Sequence, residues 1–174
     1  MKRLRVLFVL LITVLVGALL SPPASAGSVW LTSNASWTNP TASSPLPRVI
    51  SLSYAQHQTF DRVVIRIRGP LPGGSARYQR SFSYDPSGLP VPIRSTSGLQ
   101  VTLTPAYGHD DAGHNLYVGP RLAHPRFPTL RALAYTGDAE GQVTFAFALD
   151  HRAPYRVFTL SSPSRIVIDF RHRS

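Results

Sequence analysis

An all-β fold, an antiparallel two-sheet β-sandwich, is predicted for this chain by three observations. From Arg48 onward apolar residues recur at every second position, the period of a strand that buries one face. No segment keeps a helical apolar period through three turns. Clusters of Gly, Pro, Asp and Ser, such as Gly69-Pro70-Leu71-Pro72-Gly73-Gly74, Asp85-Pro86-Ser87-Gly88 and Thr136-Gly137-Asp138, break the chain at short intervals, as turns between strands do.

Taken in order, the first element is a leader. Met1 to Arg5 is cationic, Val6 to Leu20 is an almost unbroken apolar run, and Ala24-Ser25-Ala26 offers small residues for cleavage, so residues 1–26 read as a secretory signal peptide. The apolar run falls short of the roughly 20 residues of a membrane-spanning helix, and an uncleaved leader is the only membrane contact expected. Residues 27–47, rich in Ser, Thr, Asn and Pro, read as a flexible linker in which Trp30 and Trp37 are loose aromatics. Residues 48–172 form the domain. Strands are expected over Val49–Ser53, Phe60–Arg68, Tyr78–Tyr84, Leu99–Thr104, Asn115–Val118, Leu130–Tyr135, Gln142–Asp150, Arg156–Leu160 and Arg165–Phe170. The clearest is GQVTFAFALD, with Val143, Phe145, Phe147 and Leu149 on one face.

Removal of Lys2, Arg3 and Arg5 with the leader leaves fifteen arginines, no lysine and eight acids, a balance of about +7. Such an excess favours anionic partners. Export makes nucleic acid a poor one, and no zinc-finger spacing, phosphate loop or basic helix points to it. The remaining polyanions are cell-wall carboxylates and phosphates, and acidic lipid headgroups. The chain has no cysteine, so no disulfide framework exists and the fold stands on its core alone.

Three constellations bear on chemistry. In FDRVVIRIRG, Arg62, Arg66 and Arg68 share the face opposite Val63, Ile65 and Ile67, and guanidinium forks suit carboxylate or phosphate. A solvated strand face must be polar in any case, and Asp169, on the face of Arg165 in SRIVIDF, is available to neutralise a neighbouring arginine. The loop AYGHDDAGHN holds His109, Asp110, Asp111 and His114, but its glycines read as an Asx-type turn and no metal or other cofactor is expected. No nucleophile elbow, catalytic Cys or His-Glu-x-x-His is present, and no enzymatic activity is expected.

The order HQTFDRVVIRIRG, TPAYGHDDAG, TGDAEGQVTFAFAL and PYRVFTLSSPSRIVIDF resembles the AMIN-like domain of secreted proteins from high-GC Gram-positive bacteria, over Arg48 to His172. The most specific signals are His57 with Phe60-Asp61-Arg62, and Pro163-Ser164-Arg165 with Val167 and Asp169. The closing motif is also similar to that of the AMIN domain, a β-sandwich that targets amidases and secretin pilots to the cell wall. The resemblance implies a secreted, envelope-associated module without catalysis, binding cell-wall polymer, peptidoglycan first. Arg62, Arg66, Arg68, Arg165 and His57 are the candidate binding residues, with Tyr54, Tyr78, Tyr107, Tyr117 and Tyr135 as candidates to stack on sugars. The alternatives are a domain for another exported protein, through a sheet edge or the apolar patch at Phe127 and Leu130, and a small-ligand or metal-binding sandwich.

Overall fold

The computed structural model describes residues 29–39 and 45–173. The leader expected over residues 1–26 lies outside them, as do parts of the expected linker. Ten strands make two antiparallel sheets without a helix among the described residues: β1 (Ala35–Trp37), β2 (Arg48–Gln56), β3 (Phe60–Arg68), β4 (Gly73–Gln79), β5 (Ser97–Thr104), β6 (Leu122–Ala123), β7 (Leu130–Ala139), β8 (Gln142–Leu149), β9 (Tyr155–Leu160) and β10 (Arg165–Arg171). The six-stranded sheet runs β1-β4-β5-β8-β7-β6 and the four-stranded sheet runs β2-β3-β10-β9.

The alternation read from the sequence places the core. Val63, Ile65 and Ile67 of β3 and Ile166, Ile168 and Phe170 of β10 face Leu99, Val101 and Leu103 of β5 and Val143, Phe145, Phe147 and Leu149 of β8, all buried in one cluster. Each large side chain removed from water contributes about 1.5–3 kcal/mol, which is how a chain without disulfides holds together.

Four departures from expectation have physical causes. β4 begins at Gly73 instead of Tyr78, because the glycines read as turn residues serve close packing. A Cβ on Gly74 would stand 2.5 Å from Thr102 O and 2.6 Å from the Trp37 ring. Residues 80–96 form a cover, not a strand. Phe82 and Val91 lie over Ala134 and Ala146, so both faces of β8 are buried. Asn115–Val118 is loop; only His109 and Asn115 form an isolated bridge there. The fourth departure lies in the expected flexible linker, where Ala35–Trp37 is instead a strand paired with β4. Leu31 exchanges both backbone hydrogen bonds with Tyr155, at 2.7 and 2.9 Å, so this segment pairs with β9 before it pairs with β4. Trp30 and Trp37 are correspondingly fixed: the Trp37 indole donates to Pro72 O at 3.3 Å.

Candidate binding face

The outer face of the four-stranded sheet is built from the non-core residues of its strands, and strand register arranges them in rows. Ser51, Arg66, Arg165 and Leu160 form one row, Ser53, Val64, Val167 and Phe158 the next, and Ala55, Arg62, Asp169 and Arg156 the third. Phe60 and Arg171 close the face at its far end.

In the third row Asp169 is fully buried although it belongs to the outer face. Arg62 grips it with two parallel hydrogen bonds, Nε to Oδ1 at 2.7 Å and a terminal nitrogen to Oδ2 at 2.9 Å. Arg156 donates from Nε to Oδ2 at 2.7 Å. The hydrogen bond that Arg62 donates to Asp169 holds its guanidinium above the ordinary pKa against partial burial. Aromatic rings enclose the group: Arg62 lies 4.9 Å from the Phe60 ring centre, and Arg156 lies 4.7 Å from Trp30 and 5.3 Å from Phe60. Such stacking adds about 0.5–2 kcal/mol per contact, more where water is excluded. His57, expected as a binding residue, is exposed at the β2–β3 turn. Its ring stacks on Phe60 at 4.5 Å and its backbone N–H donates to Phe60 O.

The first row differs. Arg66 stands directly opposite Arg165. Among the described residues Arg66 has no ion pair, and Arg165 donates only to Pro163 O at 3.2 Å. Arg68 is exposed on the same face, opposite Arg48, which is itself ion-paired with Asp111 and donates to His109 O at 2.7 Å. The structure therefore brings Arg66 and Arg165 together with Arg68 beside them, commits Arg62 to Asp169, and sets His57 about 20 Å along the sheet from Arg66.

Asp61 points the other way, into the sandwich end. It is fully buried, accepts from the backbone N–H groups of Thr129 and Leu130 at 2.8 Å each, and meets His172 Nε2 at 2.8 Å. Its partners are therefore loop amides and His172, not an arginine across the sheet. Ser164 ties the turn before β10 to the end of β3, donating to Gly69 O at 2.9 Å while its carbonyl accepts from Ile67 N–H.

The tyrosines offered as sugar platforms divide. Tyr117 and Tyr135 are buried and stacked on each other at 4.4 Å, and burial pushes both phenols up in pKa. Tyr78 is half-buried with its hydroxyl on Ala153 O at 2.5 Å. Tyr54 alone is among the exposed large hydrophobic residues. The patch at Phe127 and Leu130 is absent as a surface: Leu130 is fully buried and Phe127 packs on the core. Its place as an apolar surface is taken by a groove of about 360 Å³ between β1 and β9, lined by Trp37, Leu71, Pro72, Val157 and Phe158. Sequence reasoning missed this groove because it treated Trp37 as tether.

In the AYGHDDAGHN loop the side chains satisfy one another. Asp110 accepts from the N–H groups of Ala112 and His114, and the His114 backbone bond is the leading cause that lowers its pKa. His109 Nδ1 meets Asp138 at 2.7 Å. No group of three or more metal-ligating side chains is found among the described residues.

No curated protein matches the chain. The family model of the AMIN-like domain matches residues 47–172, from the residue before β2 to the histidine after β10, and so covers both sheets, the Asp169 cluster and the Arg66/Arg165 row. The chain belongs to the AMIN-like domain family.

Proposed function

We propose that this protein is an exported, non-catalytic module that docks on anionic cell-envelope polymer, peptidoglycan first, through the outer face of its four-stranded sheet. The observation that carries this reading is the Arg66/Arg165 pair. Like charges directly opposite on neighbouring strands destabilise a sheet, and here no carboxylate of the described residues relieves them. An oxyanion laid between the two forks would do so, and each guanidinium offers parallel donors that match carboxylate or phosphate. Ser51 adds a hydroxyl in the same row, and Leu160 and Phe158 provide apolar surface beside it. Family membership agrees with a peptidoglycan-associated binding module, and the apolar leader of residues 1–26 would deliver it outside the cell.

The test is co-sedimentation with purified insoluble peptidoglycan across a salt series. Binding that is strong at low salt and fades as the screening length shortens supports the reading. Protein that stays in the supernatant at low salt with saturating wall overturns it. Salt-resistant binding moves the contact to the apolar groove between β1 and β9.

A further inference from the structure

A second site lies where the end of β7 meets the 106–119 loop and the 80–96 cover. It is a cleft of about 490 Å³ walled by Tyr84, Asp85, His109, Asn115 and Arg121, with Tyr135 and Asp138 among its lining residues. None of these residues takes part in the arginine face.

Two of the charges in the cleft, Asp85 and Arg121, are not matched among the described residues. Asp138 is engaged: its Oδ1 accepts from Gly108 N–H at 3.0 Å and its Oδ2 meets His109 Nδ1. The Asp85 carboxylate has no hydrogen bond or ion pair among the described residues. Arg121 has no acidic partner either, and its guanidinium lies 5.2 Å from the Tyr135 ring centre. A carboxylate and a guanidinium that share a cleft without meeting leave a gap of the kind a dipolar ligand fills.

The placement of these groups is fixed by close packing. Asp85 N–H donates to Thr136 O at 2.8 Å, and a Cβ on Gly137 would stand 2.8 Å from both Asp85 Cβ and Thr144 Oγ1. A Cβ on Gly108 would stand 2.2 Å from the Tyr135 hydroxyl. That hydroxyl is buried and faces Asp138 without a well-directed hydrogen bond, which leaves polar capacity in the wall of the cleft.

We infer that this cleft binds an amino-acid head group, an ammonium and a carboxylate on one carbon, with the ammonium at Asp85 and the carboxylate at Arg121. Charge-assisted bonds at both ends select the dipole over a simple amine or a simple acid. Asn115, whose amide nitrogen is spent on Tyr117 O, keeps its side-chain oxygen for a ligand N–H. The Tyr84 ring supplies apolar contact for the ligand's chain. Free amino acids and the diamino acid of a wall stem peptide both present this group.

The experiment is an amide chemical-shift titration of the purified protein with meso-diaminopimelic acid, free and within a stem tripeptide, and with its di-N-acetyl form. Saturable shifts at residues 84–85, 108–115 and 135–138 are expected with the first two probes only. Asp85→Asn and Arg121→Gln should each weaken binding roughly tenfold or more, while Arg77→Gln, at an exposed position of β4, leaves it unchanged. Tighter binding of the tripeptide assigns the wall as source, and tighter binding of the free compound assigns a soluble amino acid; both support the cleft. Absence of saturable shifts up to about 10 mM, equal binding of the acetylated probe, or undiminished binding by Asp85→Asn overturns the inference. Because the arginine face is tested by sedimentation and this cleft by a soluble probe, either can fail alone.

Discussion

Asp169 shows how a single residue can decide what its neighbours are free to do. It occupies Arg62 and Arg156 together, so Asp169→Asn leaves two guanidiniums facing each other around a neutral amide. The expected loss is about 2–3 kcal/mol in denaturant unfolding, at or below the low end for a broken buried pair, since both arginines keep some contact with water. Arg66 is the opposite case. Arg66→Glu places an acid opposite Arg165, and should stabilise the sheet by about 0.2–1 kcal/mol while abolishing wall binding, a pair of opposed signs that a purely structural arginine would not give. The buried and half-buried tyrosines should set the alkaline limit. Desolvation pushes Tyr78 from 10.0 up to about 12, and burial shifts Tyr117, Tyr135 and Tyr155 in the same direction. A phenol whose folded pKa is raised stabilises fully below its unfolded value and loses that contribution as pH climbs through the folded one. Unfolding midpoints should therefore fall from about pH 10 toward pH 12, with phenolate absorbance appearing alongside unfolding. Which arginine is free was not legible from spacing. FDRVVIRIRG places three on one face, and only the register to Asp169 separates Arg62 from Arg66.

At the scale of elements, the strands with strict alternation could be read directly, because β3, β5, β8 and β10 each bury one full side against the other sheet. What resisted reading was contact between segments distant in sequence. Gly73 and Gly74 carry no strand signal, yet both pair with β5, and Gly74 also pairs with Trp37 of β1, where a small residue is needed against the indole. Gly74→Ala drives a methyl into Thr102 O and the Trp37 ring, and should cost about 1–3 kcal/mol through overpacking. Gly113→Ala, where a Cβ meets nothing within 4 Å, bears only the strain of φ +83° and should cost about 1–2 kcal/mol. Unfolding curves of the two variants separate packing from backbone strain. The 80–96 cover was equally hidden, since its apolar residues Phe82 and Val91 lie in an irregular, proline-broken stretch. It seals the outer side of β7 and β8, whereas on the outer face of β3 and β10 Trp30 reaches only the Asp169 end and Arg66 and Arg68 stay exposed.

For the molecule as a whole, that asymmetry sets the two sheets apart. One sheet is covered, the other presents rows of arginine and aromatic side chains, and the surplus of arginine over acid concentrates meaning in where the unpaired ones stand. The family was legible from the sequence because its motifs build structure: Phe60 and Arg62 hold the Asp169 cluster, Asp61 anchors the loop into β7, and Ser164 fastens the last turn. The proposed binding surface was only half legible, since the same motifs contain both the committed arginine and the unpaired ones. A general positive field would draw this protein to the wall whichever arginines carried it. The decisive measurement is therefore co-sedimentation of two charge-matched variants on peptidoglycan at low salt: Arg66→Gln/Arg165→Gln on the proposed face, and Arg77→Gln/Arg80→Gln, which removes two exposed arginines in and after β4. The first variant should lose binding and the second retain it; equal retention or equal loss by both would contradict a specific anion seat between β3 and β10.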